Sequence, residues 1–130
     1  MHMRMSDLQL LPLLLMTRRM IRRAQSRSPR LHALLRGEEF VFEMCTRSGV
    51  GGYFVLREGH FDLHWGRAKT PDFAQTWRSG GDAVRTLTSK DEAAILRAYE
   101  EGLYTMQGRF TVAMWFNEVM KLTRNSDASS

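Results

Sequence analysis

The sequence contains a single cysteine and no apolar run long enough to cross a bilayer. With only Cys45, an intrachain disulfide is excluded, so the chain needs no oxidising compartment and we expect a cytoplasmic protein. The apolar segment Leu8–Met16 is too short to span a membrane. Its arginines follow the apolar residues instead of preceding them as in a secretory signal, which favours the start of a mature helix.

Acidic residues are absent from Leu8 to Gly37, although that segment holds a large share of the positive charge. The whole chain has 19 Lys and Arg against 14 Asp and Glu, a net charge of +5, so its surface should attract anions. Leucines, methionines and one isoleucine recur at helical spacing between the arginines, which predicts an amphipathic first helix. The residues predicted to contact an acidic membrane surface or another anion are Arg18, Arg19, Arg22 and Arg23. The alternative is a solvated flank of a helix that packs on the core.

Catalytic signatures are also missing, because the chain has no G-x-S-x-G, H-E-x-x-H, Walker or dinucleotide-binding sequence. We therefore predict no enzymatic activity and no cofactor. The glycines of Gly49–Gly52 lack the Lys-Ser or Lys-Thr ending of a phosphate loop and lead into a strand, which favours a hairpin turn.

Two weaker candidates for chemistry remain. His60, Asp62 and His64 alternate along a predicted strand and so share one face, and two histidines with one carboxylate form a plausible ligand set for a divalent metal. A straight strand spaces such side chains about 6–7 Å apart, so we favour a solvated polar face and predict no metal site. Cys45 has no neighbouring Lys or His in sequence to lower its pKa, which favours a buried or unreactive thiol over a nucleophile.

A chain of 130 residues fits one domain, which we place at residues 1–124, with a flexible tail at 125–130. The element order is two helices, three strands, a fourth strand, two helices, a fifth strand and a final helix, which indicates an α+β domain. The predicted bounds, in chain order, are a first helix with Pro12 in its first turn, a second helix capped by Ser28 and Pro29, strands at Glu39–Cys45, Tyr53–Arg57, His60–Trp65 and Phe73–Arg78, helices at Asp82–Leu87 and Asp91–Glu100, a strand at Leu103–Gln107 and a helix from about Arg109 to Thr123.

Period-two alternation predicts one apolar face for the first three strands. The inward residues are Phe40, Phe42, Met44, Phe54, Leu56, Phe61, Leu63 and Trp65. A single-strand nucleic-acid platform needs exposed aromatic rings, so we predict no nucleic-acid partner.

Methionine is abundant, with 9 residues in the chain. Flexible thioethers suit a cavity that adapts to a variable apolar ligand, but taken alone the methionines favour ordinary core filling.

In the segment DAVRTLTSKDEAAILRAYEEGLYTMQGRFTVAMWFNEVMKL, Gly102 and Gly108 flank the strand LYTMQ. This order of segments resembles the C-terminal half of the sterol carrier protein 2 (SCP2) domain family. FAQTWR resembles the strand before those helices, and EFVFEM to FDLHWG resembles the opening meander. The resemblance covers Leu31 to Leu122. Arg109 departs from it, because the family commonly has an acidic or amide residue there; this suggests an arginine that contacts a ligand headgroup or solvent.

The resemblance implies a five-stranded, mainly antiparallel sheet covered by helices, enclosing an apolar cavity for sterols, fatty acyl chains or other lipids. Members act as carriers or accessory modules and usually lack catalytic residues. We accordingly predict a non-enzymatic binding or carrier module whose candidate lining residues are Leu96, Met106, Met114, Phe116 and Met120. The alternative is a structural or assembly module that acts through homodimerisation or docking of a partner enzyme, with an exposed Trp115 on the last helix.

Overall fold

The computed structural model describes residues 5–128 of the chain, and side chains as far as residue 124. A short 3-10 helix at Met5–Gln9 precedes the first α-helix. The elements that follow are α1 (Leu10–Arg27), α2 (Pro29–Arg36), β1 (Phe40–Thr46), β2 (Gly51–Arg57), β3 (His60–Trp65), β4 (Phe73–Trp77), α3 (Gly80–Leu87), α4 (Ala94–Glu100), β5 (Tyr104–Gly108) and α5 (Phe110–Ala128). The predicted element order is confirmed.

One mixed sheet with strand order β3-β2-β1-β4-β5 organises the chain. Three of its four ladders are antiparallel and one, between β1 and β4, is parallel. The chain therefore passes from the β3 edge back to the other side of β1. Two hydrogen bonds between Val41 and Asp72 hold the end of this crossing: Val41 N–H donates to Asp72 Oδ2 at 2.6 Å, and the Val41 carbonyl accepts from Asp72 N at 2.8 Å.

Both predicted helix starts near the N-terminus are confirmed. Pro12 lies in the first turn of α1, where its missing N–H costs nothing. Ser28 caps α2 by accepting a hydrogen bond from Leu31 N at 3.2 Å, with Pro29 at the first helical position. Leu31 and Leu35 then bury one side of this short helix.

The start of α3 differs from the prediction. The helix begins at Gly80 instead of the predicted Asp82, and Ser79 caps it by accepting from Asp82 N at 3.1 Å. Arg78 and Arg85 both pair with the Asp82 carboxylate. Burial alone would raise the pKa of Asp82, but its hydrogen bonds to Arg78 and Ser79 and the two arginine charges hold that pKa below its usual value.

Other boundaries moved by a few residues. Helix α4 begins at Ala94 instead of Asp91, because Ser89 and Asp91 each accept a backbone N–H two residues ahead and so form turns. Helix α5 continues to Ala128, beyond the predicted end at Thr123. The side chains of 125–130 and the backbone of 129–130 lie outside the described residues, so the flexible tail stays a prediction.

Candidate functional site

The inner face of the sheet carries continuous apolar rows across neighbouring strands. The pairing register of the strands places four apolar side chains next to one another from β3 to β4: Leu63, Phe54, Phe42 and Phe73. Phe54, Phe42 and Phe73 are at most 1% exposed. The predicted inward faces of β1 and β2 are confirmed. On β3 the prediction is wrong for Trp65, which is 54% exposed because it lies at the end of an edge strand.

Gln75, a polar residue that sequence reasoning missed, lies on the same inner face in the adjacent row of side chains. Gln75 is 8% exposed and lies between Met44 on β1 and Met106 on β5. Its Oε1 accepts the indole N–H of Trp77 at 3.2 Å. The alternation of Phe73, Gln75 and Trp77 was the available signal, because it assigns the amide to the buried face.

Helix α5 is set onto this face by the glycine that precedes it. Gly108 has φ +110°, and a Cβ there would lie 2.3 Å from the carbonyl oxygen of Asp72. Arg109 N donates to that same oxygen at 2.8 Å. The ring of Phe110 then packs against Phe73 at 5.9 Å, which fixes the start of α5 over β4. The Arg109 guanidinium is exposed and lies 3.4 Å from the Glu39 carbonyl oxygen.

Phe116 extends from α5 into the aromatic rows. Its ring centroid lies 5.0 Å from Phe42, 5.7 Å from Phe54 and 6.3 Å from Phe61. The side chain nevertheless remains only partly buried, so the aromatic interior reaches solvent along this flank of the helix.

The structure brings some of the predicted lining residues together with the core and leaves others outside. Met106, Phe116 and Met120 are partly buried and pack against the core. Leu96 is 60% exposed and Met114 is 73% exposed. Met106, Phe116 and Met120 therefore lie at the boundary of the core, whereas Leu96 and Met114 are mainly exposed.

Trp115 does not have the exposed position that the assembly alternative assumed. Its ring packs edge-on against Phe40, with centroids 4.8 Å apart, and the side chain is partly buried against the core. Among the described side chains, its Nε1 is the one buried nitrogen or oxygen that lacks a hydrogen-bond partner.

The arginines of α1 and α2 form a basic surface. Arg19, Arg22 and Arg23 are exposed and Arg18 is partly buried. Within the described residues, none of these four arginines pairs with a carboxylate. Exposed apolar residues lie on the N-terminal side of them: Leu8 is 41% and Met16 49% exposed. Within residues 5–128, no helix is both long enough and apolar enough to cross a membrane.

His60, His64 and Cys45 belong to strands β3 and β1 and lie on the opposite face of the sheet from the aromatic rows. His60, Asp62 and His64 are exposed, and the His64 ring stacks on Tyr53 at 5.2 Å. In the described part of the chain, no three His, Cys, Asp or Glu residues are grouped to hold a metal ion. Cys45 is 1% exposed, which confirms the predicted buried thiol, and burial with the nearby Glu43 charge raises its pKa to about 11.

One open depression is lined by polar residues at the junction of the α2–β1 loop and the β2–β3 turn: Arg36, Gly37, Glu38, Glu39, Glu58 and His60. Because its walls are charged, it does not offer the apolar space that the predicted ligand needs.

No family model matches the chain, and no curated protein matches it. A solved structure described as "UbiJ-SCP2 Ubiquinone synthesis protein" is similar to it, with a TM-score of 0.61 and 18% sequence identity, over 84% of this chain and 96% of that one. The sterol carrier protein domain 2 of Helicoverpa armigera, solved in solution, has a TM-score of 0.49 and 23% identity, over 72% of each chain. The first similarity shows an SCP2-like α+β fold, which confirms the predicted fold.

Proposed function

We propose that residues 1–124 form a single, non-enzymatic module that binds or carries an apolar ligand between the inner sheet face and α5. A sterol, a fatty acyl chain or another lipid fits this description. The observation that carries the proposal is the partial burial of Met106, Phe116 and Met120, which pack against the core and still present apolar surface to solvent.

An apolar ligand gains affinity here by covering that surface. Each methylene that it buries contributes about 0.8 kcal/mol, so length and bulk set selectivity more than hydrogen bonds do. Methionine side chains adapt to ligands of different outline, because three rotatable bonds let them refill irregular space. Leu96 and Met114, being exposed, are proposed as contacts at the rim.

The test is titration with a fluorescent fatty acid, combined with native mass spectrometry of the protein as purified. We expect one bound lipid per chain. Met120→Trp should weaken binding several-fold, because the larger side chain fills space at the interface. Met5→Trp is the matched control, since Met5 is 86% exposed on the N-terminal 3-10 helix. No binding at micromolar lipid would refute the carrier function, and equal affinities for the two variants would refute the assigned site.

For the basic surface we propose a membrane partner with acidic lipids. Arginines that pair with no carboxylate in the described part of the chain supply the attraction, and the exposed Leu8 and Met16 supply apolar contacts that a lipid surface accepts and a nucleic acid does not. Each arginine near such a surface contributes about 1 kcal/mol, so Arg19→Glu should reduce vesicle binding several-fold. Arg57→Glu on β2 is the control. Sedimentation with anionic vesicles should exceed that with neutral vesicles and fall with salt; equal binding to both would contradict the proposal.

The assembly alternative is favoured by a different observation. Phe110 and Met114 are 55% and 73% exposed and lie four residues apart on one side of α5. A homodimer or a docked partner enzyme would cover them. In sedimentation velocity, Met114→Glu should shift a dimer to monomer while Thr111→Glu, an exposed polar position on the same helix, should not. A wild-type chain that stays monomeric at high concentration would count against homodimerisation.

A further inference from the structure

Trp115 has an unusual combination of surroundings for an indole. The ring contacts Phe40, and buried Val112 and Val119 lie one turn before and after it on α5. Its Nε1–H is buried and has no acceptor among the described residues. An indole nitrogen can only donate, so no rearrangement of its own proton satisfies it.

The other two tryptophans show that this state is specific to one position. Trp77 is fully buried, and its Nε1–H donates to Gln75 Oε1 at 3.2 Å. Trp65 is 54% exposed, so water can reach it. Buried tryptophans usually find a partner in this way, and a donor left without one costs about 1–3 kcal/mol.

The Trp115 donor lies next in sequence to Phe116, a residue of the proposed ligand site. Trp115 and Phe116 are successive residues, so they point about 100° apart around α5, and both remain at its boundary with the sheet. Phe116 lies on the aromatic rows and Trp115 on Phe40, at the start of β1. A ligand that runs along this boundary meets an apolar stretch and one buried hydrogen-bond donor.

We propose that the Trp115 Nε1–H binds the oxygen of a mainly apolar ligand. The ligand class is then a hydrocarbon chain or ring system that carries a ketone, ester, quinone or hydroxyl acceptor, in preference to a plain hydrocarbon of equal size. This inference rests on the proposed function, since it requires an apolar ligand at the α5–sheet boundary. The donor adds selectivity because it interacts only with ligands that bring an acceptor.

The experiment compares a long-chain methyl ketone with the n-alkane of equal chain length. The wild type should bind the ketone about tenfold more tightly, because one satisfied buried donor distinguishes the two. Trp115→Phe keeps an aromatic ring against Phe40 and removes the N–H, so the ketone-to-alkane ratio should fall toward one. Trp65→Phe removes an exposed indole and should keep the preference.

Nuclear magnetic resonance adds a readout that a merely structural role would not move. The chain has 3 tryptophans, so three indole N–H signals are expected, and the signal absent from Trp115→Phe identifies Trp115. The ketone should shift that signal downfield and the alkane should not. Equal ratios in wild type and Trp115→Phe, with both ligands bound, would overturn the inference and leave the proposed function standing. Failure of both ligands to bind wild type would overturn the two together.

Discussion

Phe116→Ala tests the central packing feature of the candidate site. The Phe116 ring contacts three aromatic rings on three strands, at centroid distances of 5.0, 5.7 and 6.3 Å. Removing a fully buried phenylalanine side chain costs about 3–5 kcal/mol, part of it from the cavity left behind. Because Phe116 is only partly buried, we expect a loss of about 2–3 kcal/mol in the free energy of unfolding.

A loss of that size is large enough to measure in a chain of this length. At about 4 °C per kcal/mol, the melting temperature should fall by about 8–12 °C. Met114→Ala is the matched control, since it shortens a 73% exposed side chain two residues earlier on the same helix and should change stability by less than about 0.5 kcal/mol.

The space left by the ring gives the experiment a second arm. An apolar cavity created by truncation can bind a small apolar molecule such as benzene, so benzene should raise the melting temperature of Phe116→Ala and leave Met114→Ala unchanged. If Phe116→Ala were as stable as the control, the ring would not be inserted between α5 and the sheet. The placement of the ligand there would then lose its support.

Three further predictions concern the scaffold. Cys45 should resist iodoacetamide in the native protein at mildly alkaline pH and react once the chain is unfolded, because burial raises the pKa of its thiol to about 11; rapid native labelling would contradict this. The lowered pKa of Asp82 stabilises the folded state at pH values above the carboxyl's usual pKa of 3.8, and this stabilisation is lost as the pH falls below 3.8. In denaturant titrations, the difference in free energy of unfolding between wild type and Asp82→Asn should therefore shrink on acidification. Gly80→Ala should cost about 1–3 kcal/mol, since its Cβ would lie 2.6 Å from the Asp7 Cα; Gly37→Ala, whose Cβ would have no atom closer than 3.6 Å, should be tolerated, and equal melting temperatures would refute the contact.

Much of the site's framework could be predicted because it depends on local patterns. Alternation along β1 and β2 assigned Phe42 and Phe54 to the core, since side chains on a strand point to opposite faces in turn. Phe116 was one of the five predicted lining residues, and the structure places its ring against the sheet. The capping pair Ser28 and Pro29 located the start of α2 for an equally local reason.

Other features depended on contacts between distant segments. Position 80 at the start of α3 requires glycine, because the backbone of the N-terminal 3-10 helix passes too close for any side chain there. Leu96 and Met114 have apolar side chains like those of Phe116, and their exposure follows from where α4 and α5 lie on the sheet. Hydrophobicity alone cannot separate these cases, because it does not specify which face has a neighbour.

The sequence by itself determined the inward faces of β1 and β2, the cap of α2, the basic first helix and, through its resemblance, the SCP2-like fold, since these follow from spacing and residue type. Only the tertiary structure decided that β4 pairs in parallel with β1 and that Phe116 lies over β1, β2 and β3. It also left the buried Trp115 Nε1–H without an acceptor among the described residues. The physical reason is that a side chain's burial and its hydrogen-bond partners depend on which other segment packs against it. The sequence of one segment does not specify that neighbour.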